Sequence, residues 1–270
     1  MTAPMIEPIQ PAEGGGLRYG WAVSSAASAA IEAIRAGDLD TLSQLLTENP
    51  GLVSERVVRG RGQTLTLLHV ATDWPGHFPN GSRMVAMLVA GGADVNARCD
   101  GVNTQTPLHW AASSNDVEVL DALLDLGADI EAPGAFNGVG GPLDNAVGFG
   151  QWAAAHHLVE RGARTSLWHA AALGMTDRMK KLLADTQPRP EEVTEAFWQA
   201  CHGGQRDAAA HLLERGADLN WIGFDQSTPL DIARRSNQNV GSPTCRDEYW
   251  SELVTWLEAQ GARSANEASS

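Results

Sequence analysis

Amphipathic runs that end in paired apolar residues, such as Leu123-Leu124 and Leu158-Val159, recur along this chain, and a glycine follows each of them. Gly92, Gly127 and Gly162 fall 35 residues apart, and Gly216 and Gly261 repeat the pattern further on. Glycine there relieves the left-handed conformation that closes a helix, so each predicts a helix C-terminus. Upstream of these glycines lies a second signature. It reads Thr66-Leu-Leu-His-Val-Ala71, Thr106-Pro-Leu-His-Trp-Ala111, Gly141-Pro-Leu-Asp-Asn-Ala146 and Thr228-Pro-Leu-Asp-Ile-Ala233, with weaker copies at Ser166-Leu-Trp-His-Ala170 and Ala196-Phe-Trp-Gln-Ala200. Threonine caps a helix and proline takes its first position, where a missing N–H costs nothing. The pattern predicts pairs of helices that bury their apolar faces only by stacking on copies of themselves.

The unit resembles the ankyrin repeat, whose helices open on Thr-Pro-Leu-His-x-Ala. The likeness extends over residues 25–262 and is that of a bacterial-type, stand-alone ankyrin-repeat domain. It implies an all-α solenoid of about seven helix–turn–helix repeats with short or irregular hairpin loops. Residues 21–263 are expected to form the repeat domain, with a disordered extension at 1–20 and a disordered tail at 264–270.

Departures from the repeat point to function more than matches do. Thr72-Asp-Trp-Pro-Gly-His-Phe-Pro-Asn-Gly81 interrupts the second repeat between its helices, either as a lid beside the groove or as a surface loop. Pro133-Gly-Ala-Phe-Asn-Gly-Val-Gly-Gly141 stands where a hairpin is expected. It is not a phosphate loop, since no lysine follows and no strand precedes it. Nine tryptophans is a large number for this length. Trp110, Trp152, Trp250 and Trp256 read as packing residues, and Trp168 and Trp198 take the place of the motif histidine. Trp74 and Trp221 are expected at the groove surface.

His69 and His109 occupy the motif position and read as structural, as do Asp144 and Asp231, which replace that histidine near a helix start. The catalytic candidates are His77, His169, His202, Asp73 and Asp225. Convergence of these groups would give general acid–base chemistry on a small molecule under Trp74 and Trp221. No nucleophile elbow, zinc motif or Cys-x-x-Cys is present, and no metal or cofactor is expected.

A formal charge of −14 argues against a nucleic-acid or anionic-membrane surface. The N-terminus lacks a signal peptide's basic start and apolar core, and no run is long enough to span a membrane. Three scattered cysteines suit a reducing, cytoplasmic setting. The leading expectation is a monomeric protein-binding module. Its groove contacts would be Asp73, Trp74, His77, Arg98, Ser113, Ser114, Phe149, Leu173, His202, Trp221 and Asp225. The acidic excess favours a basic or neutral partner. The alternative is an enzyme or small-molecule receptor using the His and Asp groups under a Trp-lined pocket.

Overall fold

The computed structural model of the protein describes residues 24–268, apart from 60–62, 101–103, 137 and 239–246. The expected N-terminal extension therefore lies outside the described residues, as do Cys245 and most of the insertion before the last long helix. The described residues fall into two compact units, within Gly15–Arg164 and within Thr165–Ser270.

The first unit contains four helix pairs: α1 (Ser25–Ala36) with α2 (Leu39–Glu48), α3 (Leu67–Ala71) with α4 (Gly81–Ala90), α5 (Pro107–Ser113) with α6 (Val117–Asp125), and α7 (Pro142–Gly148) with α8 (Trp152–Glu160). The first helices α1, α3, α5 and α7 pack in one layer, and the second helices α2, α4, α6 and α8 in another. A short antiparallel hairpin, β1 (Val57–Arg59) and β2 (Gln63–Leu65), precedes α3 and pairs Val57 with Leu65 and Arg59 with Gln63. The core is made by fully buried leucines, among them Leu68, Leu88, Leu108, Leu120, Leu123 and Leu158. Each is worth about 2 kcal/mol relative to exposure in water.

The helix starts explain why the motif recurs. Thr66 N–H donates to His69 Nδ1 at 3.3 Å, and Thr106 N–H to His109 Nδ1 at 3.2 Å, so the histidine three residues on closes each cap. Gly141 N–H donates to Asp144 Oδ2 at 2.8 Å, where the carboxylate does the same task. Loops lean on the repeat before them: Asn96 Oδ1 accepts from Asp129 N–H at 2.8 Å, and Glu131 Oε1 from Arg164 N–H at 2.7 Å.

The second unit contains α9 (Leu167–Ala172) with α10 (Thr176–Thr186), α11 (Pro190–His202) with α12 (Arg206–Glu214), α13 (Pro229–Gln238) with α14 (Asp247–Ala259), and a terminal short helix α15 (Ala265–Ala268). Its core gathers Met179, Leu183, Phe197, Trp198, Leu212, Leu230, Leu253 and Leu257. Two sequence assignments shift here. His169, not Trp168, occupies the motif position, because Ser166 is the N-cap and its N–H donates to His169 Nδ1 at 3.2 Å. The sixth pair opens at Pro190, well before Ala196, because Glu192 Oε2 accepts from Arg189 N–H at 2.8 Å and starts the helix there.

Candidate functional site

The loop between α3 and α4 is tied down at almost every residue. Asp73 is buried, and its Oδ1 accepts both from Arg59 Nη1 and from Trp74 N–H, at 2.9 and 3.0 Å. Burial pushes this carboxyl above its usual range, against the pull of Arg59. Gly76 takes a positive φ of 74°, and a Cβ there would meet Ser114 Cβ at 2.8 Å. His77 N–H donates to Asp116 Oδ2 at 2.5 Å, and Asn80 Nδ2 to Gly37 O at 2.9 Å. The loop is thus fastened to the repeats on both sides. Its tryptophan nevertheless stands in water: Trp74 is 68% exposed. The His77 ring is exposed as well.

The C-terminal ends of α3, α5 and α7 lie side by side. Ser114 Oγ donates to Thr72 O at 3.3 Å, and Asn145 Nδ2 to Ser113 Oγ at 3.0 Å. Ser114 is buried by this contact, while Ser113 stays half-buried. Phe149, which follows α7, is 49% exposed and tilts against Phe136 of the glycine-rich loop at 5.4 Å. Arg98 is occupied by carbonyls, with Nη1 donating to Thr104 O at 2.8 Å and to Pro133 O at 2.6 Å. Arg59 extends its guanidinium over the half-buried Trp110, 5.9 Å from the ring centroid.

In the second unit, His169 is buried in its helix cap and Leu173 is buried beside it. His202 is partly buried against Trp198, ring centroids 5.6 Å apart, and burial takes its pKa down to about 4. Trp198 Nε1–H donates to Ser227 O at 3.0 Å. Phe224 meets both Trp198 and Trp221 edge-on, at 5.3 and 5.8 Å, and is itself 49% exposed. Asp225 is exposed, with Oδ2 3.6 Å from Arg235 Nη1.

Residues 29–134 match the sequence model of a family described as ankyrin repeats (3 copies). This stretch of the chain is similar to ankyrin repeats. Alpha-latroinsectotoxin-Lt1a of Latrodectus tredecimguttatus is 29% identical over 140 residues, which is 52% of this chain and 8% of that protein. The chain therefore spans a small fraction of that relative's length. The solved ankyrin repeat domain of human ASB11 aligns at 21% identity with a TM-score of 0.47, over 84% of this chain and 96% of that one.

Of the acid–base candidates, Asp73 and His77 belong to the first unit, and His169, His202 and Asp225 to the second. Asp73 and His169 are engaged in an ion pair and a helix cap respectively. Arg59, Asp116 and Phe224 escaped sequence reasoning. Arg59 and Asp116 act through contacts with residues 14 and 39 positions away, which no local pattern signals. Phe224 was legible, since Trp221-Ile-Gly-Phe224 is an apolar run within a loop.

Proposed function

We propose that the chain is a protein-binding module, and that its first unit meets the partner along the C-terminal ends of the first helices. There Trp74 and Phe149 flank the half-buried Ser113 in successive ankyrin repeats. The exposure of Trp74 carries this reading. A tryptophan held 68% in water by a hydrogen-bonded loop adds nothing to the core, and it offers a large rigid contact to a partner. Ankyrin repeats serve generally as protein-binding modules, and the engaged states of Asp73 and His169 favour binding over acid–base chemistry. The buried thiols of Cys99 and Cys201, which form no disulfide, suit a reducing, cytoplasmic setting.

The test is affinity capture with the whole chain, comparing wild type with the Trp74→Ala/Phe149→Ala variant. A specific protein recovered by wild type and lost in a variant of unchanged melting temperature supports the reading. Equal recovery by both, or a metabolite that raises the melting temperature where no protein is recovered, refutes it.

A further inference from the structure

Among the described residues β1–β2 is the only strand pair, and it stands in the same repeat as the loop that carries Trp74. Between the two lies α3, which runs five residues where α5 and α7 run seven. At about 1.5 Å per residue that helix is roughly 8 Å long, so a side chain leaving the hairpin at its start can meet a residue beyond its end. Arg59, the last residue of β1, makes that crossing. Its Nη1 donates to Asp73 Oδ1 at 2.9 Å, and the same oxygen accepts from Trp74 N–H at 3.0 Å. The same guanidinium lies 5.9 Å from the ring centroid of Trp110 in the next repeat. The pair is sheltered, with side chains 24% and 7% exposed for Arg59 and Asp73. The loop's second fastening, from His77 N–H to Asp116, is made to the N-cap of α6 instead.

We propose that Arg59 is the positioning residue of the Trp74 surface, and that it couples β1–β2 to the loop so that a partner meets the hairpin and the tryptophan as one unit. This rests on the protein-binding reading, in which Trp74 is the anchor. A tryptophan on a loose loop loses chain entropy when it docks, and a loop ordered beforehand avoids most of that cost. Here the anchor's own N–H is held by one carboxylate oxygen, and that oxygen is oriented by a guanidinium borne on a strand. The link resists opening, because parting the two charges leaves a carboxylate in a poorly hydrated place. A shift of the hairpin is therefore passed to Trp74 through Arg59. By linkage, a shift of the loop is passed back to the hairpin to the same extent.

The experiment compares variants of the full chain by amide hydrogen exchange and by backbone nitrogen relaxation. Arg59→Met combined with Asp73→Asn removes the link without leaving a buried charge unpaired. Trp74 N–H should then exchange at least about tenfold faster, and its order parameter should fall from about 0.85 to below about 0.6, while α5 and α6 keep their protection. From the other side, Asp73→Ala should quicken exchange in β1–β2, which Asp116→Ala leaves unchanged. If the double variant does not fold, Arg59→Lys takes its place; it keeps the charge but not the planar fork, and should quicken Trp74 N–H exchange by about threefold. Exchange and order at Trp74 that match wild type overturn the proposal, and so does exchange that quickens uniformly across the first unit. A hairpin indifferent to Asp73→Ala overturns it too. These readouts use no partner, so the coupling can fail while the protein-binding reading stands, and the capture experiment can fail without touching the coupling.

Discussion

Acid should weaken the first unit through two of its buried histidines. His69 and His109 are fully buried, and burial lowers the pKa of each from 6.5 to about 4. In the unfolded chain the same rings protonate near their ordinary value, so below pH 6.5 the unfolded state binds more protons and stability falls with pH. The stabilising contribution is complete above pH 6.5 and is lost progressively as pH drops toward 4. A shift of this size corresponds to about 3 kcal/mol per histidine at full protonation, and to about 2 kcal/mol at pH 5. The two together therefore remove about 4 kcal/mol between pH 7 and pH 5, a large share of a typical domain's 5–15 kcal/mol, on the order of a third. Asp73 works with the opposite sign, because its pKa is raised. Urea unfolding at pH 7, 6 and 5 measures the effect, and Trp110, whose ring lies 5.3 Å from that of His69, is a natural fluorescence reporter. The His69→Asn/His109→Asn variant should start less stable and lose much less on acidification. A wild-type midpoint that stays flat from pH 7 to 5, or an undiminished slope in the variant, would refute the assignment of these rings as buried neutral caps.

Three further outcomes are expected. Gly127 has φ +93° and open space where a Cβ would point, so Gly127→Val should cost about 1–2 kcal/mol from backbone strain alone; calorimetry showing no loss would contradict this. Trp198→Phe removes the donor to Ser227 O and should destabilise the second unit by about 1–3 kcal/mol, read by chemical denaturation. Asp116→Ala deprives both α6 and the Trp74 loop of an acceptor, and should cost about 1–2 kcal/mol by the cap alone. Amide exchange should quicken at His77 while the hairpin β1–β2 keeps its protection; uniform quickening would mean the residue is a general packing element.

What the sequence made legible was local. Helix ends announced themselves because Gly127 and Gly162 sit at positive φ after apolar pairs, and helix starts because the cap partner lies three residues on. Where the spacing logic was applied to the wrong residue, as at Trp168, the error was one position, and the cap geometry of Ser166 and His169 corrects it. The early start of α11 follows from the same rule, since Arg189, Pro190 and Glu192 form their own opening. The candidate site was legible only in its most exposed member. Trp74 stood out as an aromatic in a Pro/Gly-rich insertion, but the buried ion pair beneath it joins residues 14 positions apart across a hairpin and a helix. Burial of Leu173 and Ser114 was equally hidden, because a boundary residue turns inward or outward according to the neighbouring repeat and not to its own sequence.

Asn96 with Asp129, and Glu131 with Arg164, each bridge 33 positions, so neighbouring modules are coupled by the same grammar of side chain to backbone. Damage to one module of the first unit is then felt mainly next door, and unravelling proceeds stepwise from a weakened seam. Gene duplication can lengthen or shorten such a chain by whole modules, because each new junction finds a reciprocal foothold waiting for it.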